Sequence, residues 1–347
     1  MRRISVIKFA ILAVISVLGG CSQREKAPDE RQLSFNVIET EAVMGAPVNL
    51  IISGDTLLVN HYGGNEFMVW LSEKDGSIIK SDIRKGKGTR EMLGPLEVDS
   101  WDSGLMIFDR PQYKLYESDF MCDSLKADLR ELPVWVSQLY PLTGGNLLAV
   151  KFLYGQEDTE VTGTRYAVIK KNGDIVNFGK YPDFSKSDKE TPADGLAFFH
   201  QTNGFCHLPE NRFAATTSHV ISVYEPYGGT YRLVAEKQIA PYEYTYTPAT
   251  STMSATAFLD KGYDRGAGAG LAYHDGKIYV PYREGESEDI VILCYDLDLN
   301  PVCKVIPSTP ISDPFVIDSS GRLVAIGEDE KSYIAISESS VSELLIP

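Results

Sequence analysis

Histidine is scarce in this chain, and the patterns that put it to chemical use are missing. The 347 residues hold five histidines, His61, His200, His207, His219 and His274. They show no HExxH and no paired metal spacing. No Gly-x-Ser-x-Gly elbow occurs, so a serine hydrolase with a strand–turn–helix nucleophile is not indicated. Cysteine is equally sparse at five, with no CxxC or Cys/His spacing that suggests zinc. The P-loop pattern Gly-x-x-x-x-Gly-Lys-[Ser/Thr] is absent too. Gly86-Lys87-Gly88-Thr89 has its lysine ahead of the second glycine, and Gly266-Ala267-Gly268-Ala269-Gly270 is followed by no Lys-[Ser/Thr]. Positive charge is in short supply: 33 Lys and Arg against 48 Asp and Glu give −15. That balance argues against nucleic acid or an anionic membrane surface as the main partner.

What is present begins at the N-terminus. Met1-Arg2-Arg3 precedes an apolar run from Phe9 to Leu18, about ten residues, half of the ~20 a membrane span needs. A basic start, a short apolar stretch and small residues before a cleavage point make residues 1–20 a secretory signal peptide. Leu18-Gly19-Gly20-Cys21 resembles a bacterial lipobox, which implies cleavage before Cys21 and acylation there. More than one acyl chain gives stable anchoring. Loss of Arg2, Arg3 and Lys8 with the leader takes the charge to −18. Residues 21–32, the lipidated cysteine and "SQREKAPDERQ", have almost nothing to bury and read as a flexible tether. The folded domain is expected over 33–347. Of the remaining cysteines, Cys294 and Cys303 flank a hairpin turn, where a cross-strand disulfide or two buried thiols both fit. Cys122 and Cys206 read as scattered buried thiols.

An internal repeat decides the fold. Six times the chain shows a turn pair, a short apolar strand, a gap and a second strand. The turn pairs are Gly54-Asp55, Ser103-Gly104, Gly144-Gly145, Glu210-Asn211, Asp275-Gly276 and Ser320-Gly321, and the strands that follow them start 49, 42, 65, 65 and 45 residues apart. Asp-Gly and Asn-Gly between β-branched or aromatic runs are hairpin signals. Repeats of this length with four strands each predict an all-β, six-bladed β-propeller of four-stranded antiparallel blades. Inner strands are expected at Val48–Ile52, Leu96–Ser100, Leu271–His274 and Phe315–Asp318. The sixth copy has no outer strand before the chain ends. Leu33–Glu39 alternates properly and is expected to close the last blade and hide its edge. The two 65-residue spacings leave room for a seventh blade.

With lipobox, tether and six punctuated copies in place, the chain resembles the six-bladed TolB-like propeller lipoproteins of Bacteroidetes. Gly86–Met92 is similar to the Gly-Arg-Gly-Pro-Gly-Glu-Phe-type loop such proteins carry after their first blade. Gly86, Gly88 and Glu91 match, whereas Lys87 and Thr89-Arg90 replace the Arg and the Pro-Gly. The resemblance covers the whole mature chain and implies a fold and an address, not a reaction: a lipid-anchored protein of the cell envelope, facing periplasm or medium at the outer membrane.

The loops that surround a propeller's channel supply the candidate ligand residues. Arg84, Lys87 and Arg90 put positive charge on an acidic body, on the connection between the first two blades. Two connections on that face are long, Gly179 to Asn203 and Glu236 to Gly268, and loops of such length are usually functional or disordered. The second carries alternating Tyr242, Tyr244 and Tyr246, then Tyr263, Asp264 and Arg265. Tyrosine offers a flat face plus a hydroxyl, which suits a sugar ring or an interface. The same tyrosines also fit an extra edge strand that covers the blade beneath. His61, Tyr62, Arg110, Tyr154 and Arg283 are weaker candidates on shorter connections. The acidic runs Glu284–Asp289 and Glu328–Glu330 leave calcium open as a cofactor, though they lack the alternating pattern of a calcium loop. The expectation is a non-catalytic binding or scaffold module that meets a protein or glycan partner through its loop-rich channel face. The alternative is a lactonase-like hydrolase or lyase, calcium-dependent, with its site in the channel.

Overall fold

A computed structural model describes residues 28–101, 104–152, 163–250, 252–262, 266–285, 287, 289–329 and 331–345. The expected signal peptide, residues 1–20, lies outside the described residues, as do Cys21, Tyr154, Tyr263, Asp264, Arg265 and parts of both acidic runs.

Six small antiparallel sheets form a ring, the expected six-bladed propeller. Blade 1 runs Ala46–Ser53, Thr56–Tyr62, Glu66–Ser72 and Ile78–Lys85, from inner to outer strand. Blade 2 follows with Pro95–Trp101, Gly104–Asp109, Lys114–Asp119 and Lys126–Asp128, and blade 3 with Val136–Leu142, Asn146–Lys151, Tyr166–Ile169 and Ile175–Phe178. Blade 4 is Gly204–His207, Phe213–Thr216, Val220–Tyr227 and Thr230–Gln238. Blade 5 is Ala272–His274, Lys277–Arg283, Ile290–Asp296 and Pro301–Pro307. Blade 6 takes Phe315–Ile317, Leu323–Glu328 and Ser332–Ser337 from the end of the chain and Phe35–Glu39 from its beginning. That last strand pairs antiparallel with Ser332–Ser337, the closure expected from its alternation.

The turn chemistry explains where strands reverse. Asp275 and Gly276 both have positive φ, 45° and 74°, between the paired residues His274 and Lys277, as a two-residue primed turn requires. The apolar runs explain the ring. Successive residues of a strand point to opposite faces, and here both faces are covered by neighbouring blades. Leu57 and Val59 pack toward blade 6, whereas Leu58 between them packs toward blade 2. Six such clusters, one at each junction, close the circle.

One feature departs from the sequence expectation, and two decide alternatives it left open. Asp29–Leu33 is a strand, parallel to Pro301–Pro307 on the outer edge of blade 5, so Asp29–Gln32 are not tether. The two long spacings hold insertions, and no seventh blade occurs among the described residues. One insertion carries two short helices, α1 (Lys186–Glu190) and α2 (Ala193–Phe199); the other carries a hairpin, Tyr244–Thr247 with Thr256–Leu259. Finally, all four described cysteines are buried free thiols, with Cys294 directly opposite Cys303. No helix among the described residues is long and apolar enough to cross a membrane.

Candidate functional site

The inner strands enclose a central channel of about 340 Å³. Its wall is divided. Blades 5 and 6 and part of blade 1 present Leu271, Ala272, Phe315, Ile317 and Ile52, whereas blades 2 to 4 present Glu97, Asp99, Gln138, Asn203 and His207. A backbone irregularity builds the polar side. In blades 1, 2 and 3 the inner strand slips register at the same place, between Pro47 and Asn49, Pro95 and Glu97, and Val136 and Gln138. A bulge re-aims the side chain that follows it. Asn49, Glu97 and Gln138 therefore stand at one level of the channel. Asn49 is held there: its Oδ1 accepts from Val98 N and Asn60 Nδ2, both at 3.3 Å.

Glu97 is only 6 % exposed. Burial pushes its carboxyl up to about 8, against the pull of hydrogen bonds from Gln138 and Tyr140 and of the Arg110 charge, with Asp99 pushing upward as well. It titrates through the neutral range. Tyr140 stacks on Phe205 of blade 4 with centroids 4.0 Å apart and 15° between planes. Phe205 meets His207 edge-on, and His207 Nε2 lies 3.6 Å from Asp99 Oδ2. One strip of carboxyl, amide and aromatic groups thus crosses three blades. Among the described residues no three His, Cys, Asp or Glu side chains come together as metal ligands would.

The structure places the sequence candidates elsewhere. Arg84, Lys87 and Arg90 do not line the channel. Arg90 binds the Asp82 carboxylate and donates to Cys122 O at 2.6 Å, and Lys80 donates to Met121 O and Asp123, so these cations bolt blade 1 to blade 2. Burial would raise Asp82, but Arg90, the Ile83 amide and Lys80 outweigh it and keep the carboxyl low. Arg84 pairs with Glu66 at 3.4 Å. The loop that resembles a phosphate cradle has both its glycine amides spent: Gly86 N donates to Met92 O and Gly88 N to Glu91 Oε2. A Cβ on Gly86 would lie 2.0 Å from that same oxygen, so a larger residue there would push the Glu91 carboxylate aside.

Tyr242 and Tyr244 are buried, 2 % and 3 % exposed, and so present no ring to a partner in this conformation. Phe199 of α2 stacks on Tyr244 at 3.8 Å, giving the insertions a core of their own. Tyr242 donates to Asp188, whose carboxylate also accepts from Phe184 N, Ser185 N and His200 Nε2. Burial would raise Asp188, but these donors together hold it below the ordinary range. Tyr246 is half-buried against Asp194. The weaker candidates divide. Arg110 lies over the Phe152 ring and acts on Glu97; His61 is buried, accepting from Gly45 N. Arg283 pairs with Asp313 at 3.4 Å beside a cavity of about 500 Å³, and burial lifts Asp313 to about 6.

Glu97, Gln138 and Asn49 were missed by sequence reasoning. Their signal is one polar residue at the same place in each inner strand, Val48-Asn49-Leu50, Leu96-Glu97-Val98 and Ser137-Gln138-Leu139, visible once the copies are aligned.

No family model matches the chain, and no curated protein does. Solved structures share the fold at low identity. A protein of Bacteroides fragilis described only as exported is 12 % identical, with TM-score 0.56 over 90 % of this chain and 100 % of its own. A member of the DUF4221 family from Bacteroides vulgatus is 10 % identical, with TM-score 0.52 over 88 % and 98 %. Virginiamycin B lyase from Staphylococcus aureus is 9 % identical, with TM-score 0.51 over 87 % and 98 %. The likeness is one of fold: this chain is a six-bladed β-propeller.

Proposed function

We propose that the chain is a TolB-like envelope lipoprotein, anchored through Cys21, that binds a glycan at its channel without transforming it. The observation that carries this is the bulge-set tier of Asn49, Glu97 and Gln138 beside the stacked Tyr140 and Phe205. Sugar rings pair an apolar face with a fringe of hydroxyls, and aromatic faces flanked by amides and carboxyls meet both needs. A neutral Glu97 both donates and accepts, as hydroxyl recognition asks. The leader and Leu18–Cys21 support the envelope address, as does fold likeness to a Bacteroides protein described as exported.

Calorimetry against a glycan panel tests the binding. Gln138→Ala and Asn49→Ala should each weaken the best ligand about tenfold, the worth of a buried polar contact. Unchanged affinity in both would remove the channel from consideration. Incorporation of labelled palmitate, lost in Cys21→Ser, tests the anchor. A second reading draws on Glu97 titrating near neutrality with His207 beside Asp99: an acid–base hydrolase or lyase at the same place. Mass spectrometry of the incubated glycan separates the two. Shortened or unsaturated products would replace the binding role, and a calcium-dependent melting shift abolished by Asp99→Asn would bring in the metal.

A further inference from the structure

Arg165 enters the third strand of blade 3 beneath the first insertion. Its backbone is fixed, with N donating to Gly179 O at 2.8 Å and O accepting from Lys151 N at 3.2 Å. Its side chain is 1 % exposed. The guanidinium lies 4.8 Å from the Tyr166 ring centroid, and one nitrogen, Nη2, reaches Thr202 Oγ1 at 3.3 Å. Nε and Nη1 have no partner, and among the described residues no carboxylate comes within 4.0 Å. The carboxylate that acts on it from further away, Glu236, accepts from Ser222 Oγ at 2.9 Å. Buried charges are normally paired and hydrogen-bonded, since an isolated one is costly.

The surroundings are short of acceptors in the same way. The Tyr181 and Tyr224 hydroxyls are buried without partners. Both tyrosines act electrostatically on Arg165; Tyr224 sits edge-on to Tyr166, and the Tyr181 ring lies 6.5 Å from that of His200. Tyr181, His200 and Thr202 all belong to the long connection from Gly179 to Asn203, which roofs the spot. A cluster of orphaned donors around a buried cation needs an explanation by a water or an ion, and donors around a fixed positive charge favour an oxyanion.

We propose that Arg165, with the hydroxyls of Tyr181, Tyr224 and Thr202, forms a site for a small oxyanion or carboxylate group that locks the first insertion onto blades 3 and 4. The ligand enters when the roof lifts and is enclosed when it closes. None of these four residues lines the channel.

Thermal melting of the full chain is followed while inorganic phosphate, sulfate or acetate replaces chloride at constant ionic strength. At least one of the three should raise the melting temperature saturably and slow amide exchange over residues 180–202. Arg165→Met should abolish the shift. Tyr224→Phe, which removes one hydroxyl and no charge, should weaken binding about tenfold with the far-ultraviolet spectrum unchanged, and it keeps the test open if Arg165→Met fails to fold. No saturable shift with any of the three, or an equal shift in Tyr224→Phe and wild type, would overturn the proposal. So would a high-resolution structure in phosphate that shows only water at Arg165.

Discussion

Asp188 and Glu97 are hidden to the same degree, each 6 % exposed, and behave in opposite ways. Asp188, in the insertion, has four donors on its carboxylate and stays charged. Glu97, in the channel, has two neutral partners and a second acid two residues away, and it takes up a proton near pH 8. Burial alone therefore says little about what a carboxyl does. The number and charge of its partners decide. The saturated acid is a structural clamp, and the undersupplied one is free to meet something else.

The largest effect should come from breaking the clamp. Asp188→Ala strands two backbone amides, the Tyr242 hydroxyl and His200 together, and should cost about 3–5 kcal/mol. Denaturant titration together with proteolysis inside 180–202 would register it. A loss below about 1 kcal/mol would mean that the four donors find water and that the contrast with Glu97 is empty.

A second test concerns the sign of the pH dependence. Glu97 holds its proton more tightly folded than unfolded, where the ordinary value is 4.5. Its contribution is therefore complete below about pH 4.5 and is lost as pH rises toward 8, by up to about 1.4 kcal/mol per pH unit. Asp188 runs the other way. Its folded value lies below the ordinary 3.8, so its contribution is present above that and is lost on acidification. Stability measured at intervals from pH 5 to 8 should fall less steeply in Glu97→Gln than in wild type; parallel slopes would refute the assignment.

The smallest effects should come from the cations that the sequence made prominent. Arg90→Ala removes a half-exposed contact to Asp82 and the Cys122 carbonyl and should cost about 1 kcal/mol or less. Lys87→Ala should stay within about 0.5 kcal/mol. Ligand affinity should be untouched in both, and a loss in either would move the site from the channel to the rim.

These outcomes follow how legible the molecule was. Turn pairs such as Asp275-Gly276 and apolar runs such as Thr56–Val59 carry the fold, because reversal and two-sided burial each leave a local mark. The alternation of Leu33–Glu39 marks the closing strand, of which Phe35–Glu39 lies in blade 6 while Leu33 ends the strand on blade 5. Asp29–Leu33 was not legible: as an exposed edge strand it buries only Leu33, and its polar residues look like linker. Tyr242 and Tyr244 alternate as a strand should, but sequence could not say which face would be covered, and α2 covers theirs. The channel tier was hidden by the bulges, which break the period-two rule where the polar side chains turn inward. Asp188, His200 and Tyr242 meet across 12 and 54 residues, a distance at which no local pattern exists.

The pairing of Asp29–Leu33 and Phe35–Glu39 has a mechanical consequence. Asp29–Leu33 and Phe35–Glu39 are separated by Ser34 alone, yet they lie on different blades, each held by five register pairs. Tension applied ahead of Asp29 runs along these strands, so the rungs of a ladder share the load in shear and do not unzip one by one. A force probe attached at Pro28 should meet a higher rupture force than one attached at the turn Gly228-Gly229, where the outer edge of blade 4 can be peeled. The seam that closes the ring is also the seam that bears any pull from the N-terminal side.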